Sequence, residues 1–226
     1  MADARVPAAL LRAVGDDLRP VRPLAPPWRR ALVVALLAVP VLAQAPLAYG
    51  WRSNIARLGP GWAWGVSIVQ ALVGLAVLVA ALREAVPGRP LSRRALWTAI
   101  AAASAAIFAV TLGTEQALPA AVPPGVWLRY AWECWEISVV TALPIFAFAA
   151  WLVVRALPVR PALTGALLGL GVGVLVDSAM RLYCWVSAPL HVLVSHGGAV
   201  VTLVLGGALV TTAVDRWAGR RGRKPR

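Results

Sequence analysis

Six long apolar runs, at residues 31–50, 62–82, 95–114, 136–157, 162–184 and 190–214, constrain this chain more than anything else in it. Each is close to the roughly 20 residues a helix needs to cross the hydrocarbon core of a bilayer. Lipid supplies no hydrogen bonds, so a spanning segment must satisfy its own backbone, and segments of this length do so as helices. A β-barrel would show shorter segments of alternating polarity instead. The chain has 226 residues, 60% of them apolar, and a mean hydropathy of +0.76. The expectation is an all-α membrane protein with six transmembrane helices in one polytopic domain. It divides into a cytoplasmic tail over 1–30, a six-helix bundle over 31–214 and a basic cytoplasmic tail over 215–226.

A net charge of +13 could signal nucleic-acid binding, but its distribution points to a membrane. With the N-terminus in the cytoplasm, one side receives Arg5, Arg12, Arg19, Arg22, Arg29 and Arg30, then Arg83, Arg89, Arg93 and Arg94. Arg155, Arg160, Arg216, Arg220, Arg221, Arg223, Lys224 and Arg226 follow on the same side. The opposite side receives only Arg52, Arg57, Arg129 and Arg181. Such asymmetry is the positive-inside pattern, which puts both termini in the cytoplasm. The tail RRGRKPR reads as a topology and anionic-lipid anchor, so no direct nucleic-acid contact is expected. Trp28, Trp51, Trp62, Trp97, Trp135, Trp185 and Trp217 fall at or near predicted helix ends, as aromatic belts do. AQA at 43–45 resembles a signal-peptide cleavage site, but Pro46 would follow the cut and the apolar run continues to Tyr49. An uncleaved first helix is the preferred reading.

In the tail, Leu10, Leu11, Val14 and Leu18 follow helical spacing and predict a short amphipathic helix over 7–18. Pro20, Pro23, Pro26 and Pro27 stop it. A helix this short is marginal alone, so it is either unstructured or folds into a partner's groove. Within the bundle, Pro40 and Pro46 should bend the first helix and Pro144 the fourth. Gly165, Gly169 and Gly173 form a small-residue stripe for close packing between the fifth and sixth helices, and leave a homodimer open. Asp177 and Arg181 are placed to neutralise each other one turn apart. No aspartate or histidine within a span has an evident partner for proton relay, and no P-loop or nucleophile motif is present. The chain is not expected to be an enzyme.

The stretch WECWEI, 132–137, holds one of the two cysteines. Cys134 and Cys184 fall at the outer ends of the fourth and fifth helices, which a short loop makes antiparallel neighbours. Glu133 and Glu136 flank the first thiol, and His191 begins the sixth helix on the same side. Thiolate, imidazole and carboxylate together suit a soft or borderline transition-metal ion. Two cysteines in an oxidising space also suit a disulfide. Three readings stand: a permanent disulfide, two thiols that only pack, and a redox- or metal-responsive pair. His196 lies five residues from His191, about 140° round a regular helix, so only His191 is expected at the site.

DLRPVRPLAPPWRRAL at 17–32, VPGR at 86–89, SVVTALPIFAFAAWLVVR after Cys134, RPALTGALLGLGVGVL at 160–175 and LYCWVSAPLHVLVSHGGAV at 182–200 together resemble the NrsF family. Its members are six-helix inner-membrane anti-sigma factors. The resemblance implies a multi-pass protein of the bacterial inner membrane that holds an extracytoplasmic-function sigma factor away from RNA polymerase. A stress signal read by Cys134 and Cys184 from the periplasm would release it. The docking surface implied is Asp17, Leu18, Arg19, Pro20, Arg22 and Pro23, with Leu10, Leu11 and Val14 as apolar anchors. A proline-broken outer loop is expected over 115–131. Two other functions fit the composition: a small multi-pass carrier of metal ions or solutes, and a membrane scaffold subunit.

Overall fold

A computed structural model describes residues 7–17, 23–119 and 123–222. Among them every regular element is helical, and six helices are long and apolar enough to cross a membrane. Helix α1, Ala8–Asp17, lies within the predicted 7–18. Leu10, Leu11 and Val14 are 54%, 60% and 51% exposed, so its apolar face is left largely uncovered by the other described residues. Leu18, Arg19, Pro20 and Arg22 lie outside the described residues.

The first span, α2, runs Pro27–Tyr49 and opens with proline in its first turn, where a missing N–H costs nothing. It continues through Pro40 and Pro46. Arg30 near its start is buried, and its guanidinium donates to the carbonyls of Leu82 and Leu152. Those carbonyls sit at the ends of the second and fourth spans, where helices leave acceptors unpaired. The second span is built of α3, Ile55–Pro60, one π-helical turn, Gly61–Gly65, and α4, Val66–Glu84. Gly59 has a φ of +77°, a backbone that glycine adopts without strain, and it kinks the entry to this span.

The third span, α5, is Arg93–Ala117, and the Ser92 hydroxyl caps it by accepting from the Ala95 N–H at 3.2 Å. The fourth, α6, is Pro124–Val154. Its 31 residues make it roughly 46 Å long, and it starts twelve residues before the apolar run. The expected outer loop over 115–131 is therefore corrected. Pro124 opens the helix, and Arg129 and Glu133, 3.5 Å apart on successive turns, continue it past the apolar segment.

The fifth span, α7, Pro161–Tyr183, is the axis of the bundle. Leu168, Val172, Val174 and Met180 on it are fully buried. Two faces of α7 are shaved to backbone. A Cβ at Gly165 would fall 2.1 Å from the Gly207 carbonyl, and one at Gly169 would fall 2.0 Å from that of Leu203. On the other face, a Cβ at Gly171 would stand 2.8 Å from the Leu78 backbone. Apolar side chains gain little from leaving lipid for protein, so close backbone contact and packing must hold such helices together. The sixth span comprises α8, Pro189–Val192, a π-helical turn, Leu193–Gly197, and α9, Gly198–Gly222. It lies against α7, with its far side exposed at Val201, Leu205 and Leu209.

Candidate thiol and imidazole site

At the end of the bundle away from Arg30, α6 and α7 bring their cysteines together. The two thiols are free, and Cys134 Sγ lies 3.5 Å from Cys184 Sγ. Both side chains are buried, with Val186 beside them. Cys134 sits two to three turns inside α6. Cys184 follows directly on α7 in extended backbone, its N–H donating to the Met180 carbonyl at 2.7 Å.

Arg52 fixes that turn. Its N–H donates to the Leu182 carbonyl at 2.9 Å, and its guanidinium donates to the carbonyls of Arg181 and Trp185, each at 3.3 Å. Asn54 Oδ1 accepts a further bond from it at 2.5 Å. Burial pushes the Arg52 guanidinium below its usual pKa range. The carbonyl groups left over at the C-terminus of α7 are what this buried cation satisfies. Arg52 carried no role in the sequence reading beyond its place in the charge count.

Both histidines join the thiols. His191 Nε2 stands 3.3 Å from Cys184 Sγ, and its Nδ1 stands 3.3 Å from the Trp127 carbonyl. His196 Nδ1 donates to Asp177 Oδ1 at 2.6 Å. The two rings are 5.8 Å apart, centroid to centroid. The 140° separation expected of them fails because residues 193–197 are wound as a π-helix. There the hydrogen bonds run from i to i+5 and the turn is wider, which swings His196 back toward His191, ring edge to ring face. One ligand atom from each of Cys134, Cys184, His191 and His196 lies within 4.8 Å of the other three.

Behind His196 lies a polar network of which the sequence discloses only the Asp177–Arg181 pair. Asp177 Oδ2 accepts from Gln70 Nε2 on α4 and from Arg181 Nη2 at 3.2 Å. Arg181 also donates to Thr111 Oγ1 on α5 at 2.9 Å. The expected pairing of Asp177 with Arg181 is present. The expectation that no aspartate or histidine within a span has an evident partner for proton relay is corrected by the Asp177–His196 bond, which joins two titratable groups inside the spans.

The flanking acids stand elsewhere. Glu133 pairs with Arg129 at a side-chain exposure of 45%, and Glu136 is exposed. Neither belongs to the four-residue group. A cavity of about 250 Å³, lined by Tyr49, Arg52, Tyr130, Cys134, Tyr183 and Cys184, adjoins the thiols.

Tetrahedral zinc, with bonds of about 2.0–2.3 Å, needs ligand atoms roughly 3.3–3.8 Å apart. The Sγ–Sγ distance of 3.5 Å and the Sγ–Nε2 distance of 3.3 Å already fit, and the widest pair needs a contraction of about 1 Å. Two thiols and two imidazoles suit a soft or borderline ion. The same sulfurs could instead join by oxidation after a small approach.

Comparison with known proteins gives one result. Residues 15–217 match the family model NrsF, described as negative regulator of sigma F. Nothing among the curated proteins or the solved structures matches. With the six apolar helices, a match over nearly the whole length settles the family: the chain belongs to the NrsF family of negative regulators of sigma F.

Proposed function

We propose that this protein is a multi-pass anti-sigma factor of the bacterial inner membrane. It holds an extracytoplasmic-function sigma factor at the cytoplasmic face and releases it when a stress signal reaches Cys134 and Cys184 from the periplasm. The family match carries the regulatory half of this reading. The four-residue group of Cys134, Cys184, His191 and His196 supports the sensing half, with a thiophilic transition-metal ion as the signal.

The tail supplies the capture surface. Helix α1 presents Leu10, Leu11 and Val14 to the surroundings, an unpartnered apolar stripe suited to a groove on another protein. The basic residues after it favour an acidic partner surface. Helices α6 and α7 run from the thiols to the opposite end, where Arg30 binds the Leu152 carbonyl and Arg160 binds Glu84. A metal ion that draws α6 and α7 together at one end would shift these contacts at the other.

Co-purification from solubilised membranes tests the reading. The full chain, tagged at its C-terminus, is expected to retain a sigma factor, and a chain lacking residues 2–24 is expected to lose it. Recovery of no sigma factor with the full chain would overturn the proposal.

A further inference from the structure

We infer that Asp177 is a positioning residue for the sensor site: it holds His196 in the one tautomer and orientation that presents Nε2 as the fourth ligand of a tetrahedral metal ion. This rests on the metal reading proposed above and deepens it.

Asp177 divides its two oxygens. Oδ2 receives Arg181 and Gln70. Neutralising Arg181 therefore occupies only that oxygen. Oδ1 is left to His196 alone, at 2.6 Å. The bond consumes Nδ1 and places the imidazole proton there, since a carboxylate can only accept. In the neutral imidazole, the form that binds a metal, Nε2 then carries the lone pair.

That atom is fully buried and has no hydrogen-bond partner in the protein. Buried polar atoms are normally partnered; Gln70 Oε1 and Arg181 Nε in the same network are also unpartnered, but of the three only His196 Nε2 can ligate a metal ion beside the thiols. His196 is also one of the four residues whose ligand atoms converge within 4.8 Å, and with Nδ1 engaged only Nε2 is free to serve. His191 is arranged the same way, Nδ1 toward the Trp127 carbonyl and Nε2 toward Cys184 Sγ. An oxygen behind each metal-binding histidine is the usual means of fixing its tautomer and raising its basicity.

Asp177 is itself immobilised. Gln70 holds it to α4, and Arg181, through Thr111, links it to α5. His196 is thus oriented by a carboxylate that two further helices steady. The π-helical turn brings the ring over the site, and Asp177 decides which of its atoms faces the ion.

The test uses the full chain purified in detergent under reducing conditions, with Co²⁺ as probe. Sulfur-to-cobalt charge-transfer and d–d bands report thiolate ligation and tetrahedral geometry. Asp177→Asn is paired with Arg181→Met, so that no buried cation is stranded. The pair is expected to weaken Co²⁺ binding about ten- to a hundredfold and to change the d–d envelope while keeping the sulfur bands. His196→Gln should do the same, and adding it to the pair should cost nothing further. Wild-type affinity and spectrum in the pair, or a full additional loss in the triple variant, would overturn the positioning role and leave the metal reading standing. A wild-type chain without sulfur-to-cobalt bands would overturn both.

A second measurement needs no substitution. In the ¹⁵N-histidine protein loaded with ¹¹³Cd²⁺, cadmium should couple to His196 Nε2 while Nδ1 keeps its proton. Coupling to Nδ1, or to neither nitrogen of that ring, would overturn the inference.

Discussion

Gly165 and Gly207 meet backbone to backbone: a Cβ on either would lie 2.1 Å from the other's carbonyl oxygen. The contact joins the fifth and sixth spans and leaves no room for a methyl group. Gly165→Ala is expected to destabilise the bundle by about 1–3 kcal/mol, the usual cost of overpacking, and Gly165→Val by more. Gly206→Ala, where nothing lies within 4 Å, should be neutral. Thermal unfolding in detergent separates the two.

Glu84 at the end of α4 is buried, 2.6 Å from Arg160 Nη2, and accepts the Leu91 N–H at 2.6 Å. It pins the loop between the second and third spans to the start of α7. Glu84→Gln weakens a charge-assisted pair, but the Arg160 side chain is 46% exposed, so the effect is moderated by water. A loss of about 1–2 kcal/mol is expected, with faster amide exchange over 85–92. Unchanged exchange there would show that the pair restrains nothing.

Cys134→Ser and Cys184→Ser should each abolish sulfur-to-cobalt bands or reduce them to one thiolate's worth, with membrane insertion unchanged. Because thiols and imidazoles must lose protons to bind metal, apparent affinity should fall as pH drops, and binding should release protons. Titration at several pH values checks both. Glu133→Gln and Glu136→Gln are expected to leave affinity within about twofold, since neither carboxylate lies in the four-residue group.

Leu11→Glu and Val14→Glu alter side chains that are 60% and 51% exposed, so the bundle's stability should not change. Each should weaken sigma-factor capture about tenfold or more, by placing charge in an apolar groove. Sigma binding measured beside thermal unfolding distinguishes lost docking from lost folding.

The architecture was legible wherever composition decides it. Six apolar runs gave six helices, and Gly165 and Gly169 marked a close contact with the sixth span because only small residues permit one. The meeting of Cys134 with Cys184 followed from two antiparallel neighbours. The misses have local causes. Helix α6 begins at Pro124 because Arg129 and Glu133 sustain a helix beyond the apolar run, and hydropathy does not register that. A regular helix would turn His196 away from His191, whereas the π-helical turn at 193–197 turns it back. Nothing in the sequence marks that winding. Gln70 and Thr111 lie more than sixty residues from Asp177 and Arg181, and no spacing rule links them.

The most direct measurement joins the two ends of the molecule. The complex of the full chain with its sigma factor is reconstituted in lipid nanodiscs, and bound sigma factor is measured as Zn²⁺ or Cd²⁺ is added. Dissociation is expected at the concentration that fills the site, and not in Cys184→Ser. Retention of the sigma factor through saturation of the metal site, or equal release from the wild-type chain and Cys184→Ser, would contradict the claim that this site governs release.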